Sequence, residues 1–160
     1  MRRVLLLAVL AALTGAVTAC SASSGELPQV TFAADGRTVA ARPTQYCTVE
    51  LTDCQDDADA PVELRVPPGT PVQVRVPQEV ASGPWLIVFS IVSADGSRTD
   101  GRTPVFGPDQ RTEYELTLPE PTDRLLVAEV HQLGAVVQTN TDTGEVEFPA
   151  RATWVLNTSL

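Results

Sequence analysis

Apolar and polar residues alternate with a period of two through most of this chain, and no segment keeps the 3.6-residue apolar spacing of a helix. Val62, Leu64 and Val66 alternate with Glu63 and Arg65; Val72, Val74 and Val76 alternate with Gln73 and Arg75. Pro67-Pro68-Gly69-Thr70-Pro71 lies between these runs, which predicts a half-buried antiparallel hairpin with its prolines outside the ladder. Gln29–Ala33 and Arg37–Ala41 flank an Asp-Gly turn signal, and Gln45–Leu51 reads as a third strand. Further strands are expected over Arg111–Leu118, Leu125–Leu133 and Ala152–Asn157, with a small hairpin from Val136-Val137 to Val146–Phe148. Asp53–Asp59 and Ser97–Pro108 read as polar loops. Eight to ten short strands at this spacing predict an all-β fold, an immunoglobulin-like antiparallel β-sandwich.

One strand departs from simple alternation. In Trp85–Val92, Trp85, Ile87, Phe89 and Ile91 line one face, while Leu86, Val88 and Val92 line the other. A strand apolar on both sides is covered on both sides. Trp85, Ile87 and their fellows suit the core. Leu86, Val88 and Val92 are covered by this same chain or form a binding face for an envelope protein or an apolar ligand.

The amino end has a different pattern. Met1-Arg2-Arg3 precedes an apolar run from Val4, which ends in small residues at Val17-Thr18-Ala19-Cys20. A basic start, an apolar middle and small residues mark a secretory signal. The run is too short, and too interrupted by Thr14, Gly15 and Thr18, for a membrane span. Its end resembles a bacterial lipobox. The resemblance implies removal of residues 1–19, a diacylglycerylated Cys20 as the first mature residue, and attachment at the outer face of the plasma membrane. Residues 20–26 then form the lipidated start and a short tether, and 27–160 the folded domain.

Charge narrows the partners. The chain carries 11 arginines, no lysine and 20 acidic residues. Loss of Arg2 and Arg3 leaves nine cations against those 20 anions, a net charge of −11. Phosphate backbones repel such a chain, which excludes nucleic acid as a partner.

Beyond Cys20 the cysteines are Cys47 and Cys54. In an exported protein they are expected to form one disulfide, which closes a short loop and stabilises by about 2.5 kcal/mol. Six residues separate the two sulfurs rather than the two of a redox motif. Asp53, Asp56, Asp57 and Asp59 are dense enough to suggest calcium, but they lack EF-hand spacing and read as a solvated acidic loop. No cofactor and no metal site is expected. His131 is the sole imidazole; by period it shares a face with Glu129, a polar pair or the base of a small hydrolase. No nucleophile-elbow or phosphate-loop motif accompanies it, so catalysis is not expected.

The lipobox, Arg42-Pro43-Thr44-Gln45-Tyr46-Cys47 with Cys54 following, and the Pro-Gly turn that leads to Gly83-Pro84-Trp85 resemble a family of actinobacterial membrane lipoproteins of uncharacterised function. The resemblance implies a single extracytoplasmic β domain and brings no catalytic residues. The expected role is a non-catalytic binding module at the cell envelope. The alternatives are a carrier of a small apolar ligand and a hydrolase built on His131.

Overall fold

The structure, a computed structural model, describes residues 25–139, 144 and 146–159. The signal sequence and Cys20 lie outside the described residues, as does most of the expected turn at Thr141–Gly144. The described chain is all-β apart from one helical turn, α1 (Gln78–Ala81).

β1 (Val30–Ala34) and β2 (Arg37–Ala41) form the expected hairpin. Asp35 and Gly36 both have positive φ, +49° and +71°, as a two-residue primed turn requires. β5 (Val62–Arg65) and β6 (Val72–Arg75) do not pair, contrary to the hairpin expected from their alternation. β6 lies between β1 and β9 (Glu113–Leu116), giving a four-stranded antiparallel sheet in the order β2-β1-β6-β9. β5 instead runs parallel to β13 (Ala150–Ser159) in the second sheet. The physical reason lies in the linker. Pro67 and Pro68 lack the N–H groups that would continue a ladder, and Gly69, exposed and at φ +68°, turns the chain over the surface toward the other sheet. Both runs bury one apolar face, but from opposite sides of the core.

The larger sheet runs β4-β3-β13-β10-β7-β8. Its centre is β10 (Arg124–Leu133), paired with β13 on one side and with β7 (Trp85–Val92) on the other. β8 (Arg98–Arg102) covers the outer edge of β7, within the stretch expected to be a polar loop. Its polarity hid it: its core side carries Gly101 and the exposed Thr99, and an added Cβ on Gly101 would lie 2.6 Å from the Phe89 ring. β3 is only Gln45–Tyr46, shorter than expected, and β4 (Gln55–Asp56) pairs with it, so part of the expected acidic loop is strand. β11 (Gln138–Thr139) and β12 (Val146–Glu147) form a separate small hairpin.

One core lies between the sheets. Val30, Phe32, Val72 and Val74 from the small sheet meet Trp85, Ile87, Val130, Trp154 and Leu156 from the large one, all of them fully buried. Trp85 packs on Phe106 with ring centroids 4.6 Å apart, and its indole N–H donates to Arg111 O at 3.1 Å. Buried tryptophans need such a partner, because an unpaired N–H is costly.

Candidate functional site

The outer face of the large sheet is where the second apolar side of β7 points. Register places Leu86 beside His131, Val88 between Arg102 and Glu129, and Val92 between Arg98 and Arg124. Leu86 is buried, whereas Val88 and Val92 are half-buried, so this face is covered at one end and open along the rest.

The covered end is a groove of about 370 Å³. Its floor is Leu86, Val88 and Leu133; its walls are Val105 on one side and Val146 and Phe148 on the other. Val105, Val146 and Phe148 are 52%, 59% and 54% exposed. They make up three of the five large exposed apolar side chains among the described residues. The other two, Val49 and Val137, adjoin: Val49 O accepts from Ala135 N, and Val137 precedes β11. Three of the five therefore lie on this one groove, while Val49 lines a separate recess with Gly134 and Ala135. A second recess, about 270 Å³, continues from Val88 past Ser90 to Arg98, Asp100 and Val127. Of the expected binding face, Leu86 and Val88 line this groove, and Val92 lies on the same face beyond it.

Glu129 and His131 do pair on this face. His131 Nε2 lies 2.8 Å from Glu129 Oε2, and a carboxylate can only accept, so the ring nitrogen donates. The hydrogen bond from His131 holds the Glu129 carboxyl below its ordinary value of 4.5, against a smaller opposing effect of burial. A lowered carboxyl contributes stability above its unfolded value and loses it as pH falls through the folded value. The stability advantage of the wild type over Glu129→Gln is therefore expected to be full near pH 7 and to be lost as the pH falls below the ordinary carboxyl value and through the lowered folded one. Urea unfolding across pH checks this; a difference that does not change with pH would contradict it. The cross-strand neighbours of His131 are Leu86 and Thr153, and Ser90, which lines a recess with Glu129, is bonded to Asp100 and Arg98 instead.

The remaining sequence candidates resolve as follows. Cys47 and Cys54 form a disulfide, with Cys47 buried and Cys54 exposed. The acidic residues do not converge. Asp57 pairs with Arg42 at 3.0 Å and accepts from the Asp59 amide, and no three metal-ligating side chains gather among the described residues. A larger recess, about 440 Å³, lies where Gly25–Leu27 meet Arg42 and Asp57, but it is walled by that ion pair and the incoming chain. Sequence reading missed the far wall of the groove. Val105 sits beside Phe106 in an otherwise polar stretch, and Phe148 ends a short run, so neither carries a periodic signal.

Comparison with known proteins adds kinship without an activity. Three uncharacterised proteins, Mb0899c of Mycobacterium bovis and MT0898 and Rv0875c of Mycobacterium tuberculosis, are each 30% identical over 128 residues. The match covers 79% of this chain and 75% of each relative. No solved structure matches. Residues 23–159 match DUF2771, described as a protein of unknown function, and the chain belongs to that family.

Proposed function

We propose that this protein is a lipid-anchored, non-catalytic binding module on the outer face of the plasma membrane, and that it engages an envelope component through the groove on its large sheet. The gathering of exposed apolar side chains around Leu86 and Val88 carries the reading. Monomeric proteins rarely leave such surface open without a partner for it. The lipobox resemblance at Val17–Cys20 supports the anchor, and two acyl chains hold a protein at a membrane where one does not. The domain is read as immunoglobulin-like, in support of which β8-β7-β10-β13 form one sheet, β5 runs parallel to β13, and a buried tryptophan sits on β7. The disulfide departs from that pattern, since it closes a local loop and does not bridge the sheets.

Two variants test the halves separately. Cys20→Ala is expected to leave the protein in the medium or as an uncleaved precursor; unchanged membrane attachment would remove the anchor. Val88→Arg puts a cation on the groove floor and is expected to keep anchoring and fold while losing the bound envelope component. Retention of that component would remove the groove. A second reading, a carrier of a small apolar ligand, draws on the groove volume, which falls within the range of small-molecule sites. Native mass spectra of protein from its own membrane would then show a bound ligand that Val88→Arg lacks.

A further inference from the structure

The wall of the groove is gripped by the loop that the disulfide closes. Gly134 and Ala135 link β10 to the β11–β12 hairpin. Ala135 N donates to Val49 O at 2.8 Å, and Gly134 N donates to Pro149 O at 3.0 Å. A Cβ on Gly134 would meet Leu51 Cδ2 at 3.0 Å and Val49 O at 3.2 Å, so loop and linker are in close contact. The residues between the cysteines hold a constrained shape. Leu51 and Asp53 both take positive φ, +61° and +50°, which side-chain-bearing residues rarely adopt unless their surroundings impose it. Thr48 and Thr52 bind each other through main chain and side chains, with Thr48 Oγ1 and Thr52 Oγ1 2.8 Å apart.

The base of the loop is fixed independently. Arg151 donates to Cys47 O at 2.8 Å, to Tyr46 Oη at 3.2 Å and to Gln132 Oε1 at 3.0 Å. Gln132, itself buried, donates in turn to Glu79 O and Val80 O. Cys47 is thus locked to the core, while Cys54 is exposed and is tied to it through sulfur and through its neighbour Gln55, which pairs with Tyr46.

We propose that Cys47–Cys54 is a redox clasp for the groove. Closed, it holds residues 48–53 in their constrained shape against Gly134–Ala135 and so fixes the wall that carries Val146 and Phe148. The opening reagent is a dithiol reductant. One of its thiolates attacks the exposed Cys54 sulfur, the Cys47–Cys54 bond breaks, and Cys47 leaves as a thiolate and takes up a proton. The second donor thiol, as its thiolate, attacks the donor sulfur of the mixed disulfide. Cys54 is released as a thiol, and the donor leaves as a disulfide, two electrons and two protons poorer. Leu51 and Asp53 are then free to relax to negative φ, and the Val49–Ala135 bond loses its support. That this gates binding rests on the proposed role of the groove; movement of the wall does not.

Hydrogen exchange of the full mature protein, oxidised and after dithiothreitol, tests the clasp. The expected result is exchange at least tenfold faster for the amides of residues 135–139 and 146–148 in the reduced protein, with the amides of β7 and β10 unchanged. Unchanged protection of the wall, with both thiols shown open by mass, would overturn it. Should reduction unfold the whole domain, Ala135→Pro decides with the disulfide closed: it deletes the amide that the loop accepts from. The same loosening of 136–139 and 146–148 is expected, and full protection there would overturn the clasp. A wall that loosens without any change in binding would leave the clasp standing and count against the groove as a binding face.

Discussion

Trp154→Ala is expected to destabilise the domain by about 4 kcal/mol, the range for removing a large buried aromatic side chain. Trp154 is fully buried on β13, facing the small sheet, and its indole N–H donates to Pro28 O at 2.8 Å. The substitution leaves a cavity in the middle of the core and removes the bond that fixes the chain just before β1. With a total stability of about 5–15 kcal/mol for a domain this size, at least about a quarter of the margin goes. Trp154→Phe keeps much of the packing but leaves the Pro28 carbonyl without its donor, and is expected to cost about 1–2 kcal/mol. Urea unfolding followed by the remaining tryptophan, Trp85, measures both. A loss below about 1 kcal/mol for the alanine variant would place Trp154 outside the core, against the structure.

Gly69→Ala is expected to cost about 3 kcal/mol, the most of the glycine-to-alanine changes among the described residues. Two effects add. A non-glycine residue at φ +68° costs about 1 kcal/mol. The new Cβ would also lie 2.4 Å from Pro121 O, which is backbone and cannot swing aside. The 119–123 loop is itself pinned: Gly69 N donates to Asp123 O at 3.2 Å, and the buried Asp123 carboxylate accepts from Glu120 N at 3.1 Å. Gly36→Ala is the control. Gly36 has φ +71° but nothing within 4 Å of its Cβ position, so it is expected to lose only the conformational part, about 1 kcal/mol. Equal losses at the two sites, again by urea unfolding, would mean that the linker from β5 to β6 does not lie against the 119–123 loop as described.

The contrast between these two glycines shows what the sequence makes legible. Asp35-Gly36 announces its turn, because two left-handed residues between alternating strands have one common use. Trp85–Val92 is equally plain and matches β7 at both ends. Pro67–Pro71 looks like a hairpin linker and is instead a crossover. Alternation in Val62–Val66 and Val72–Val76 records that one face of each run is buried, not which strand lies alongside. Partner choice is set by contacts far along the chain, at Leu156–Ser159 for β5 and at Thr31–Ala33 and Glu113–Leu116 for β6. β8 is invisible for a related reason: an edge strand whose core side carries only Thr99 and Gly101 shows no apolar period. At the candidate site, the pairing of Glu129 with His131 follows from a spacing of two on one strand. The floor residues Leu86 and Val88 are legible as a surplus of apolar character on β7. The walls at Val105 and Phe148 are not, because folding brings them to the floor from loops with no pattern of their own.

Site-specific photo-cross-linking in the living envelope tests the central claim most directly. A photoreactive residue at Val88, on the groove floor, is expected to give a discrete, reproducible adduct with one envelope component, and one at Thr38, on the edge of the small sheet, is expected to give none. Adducts at Thr38 with none at Val88 would contradict the account, and so would a groove that stays unlabelled while the anchored protein is folded and abundant.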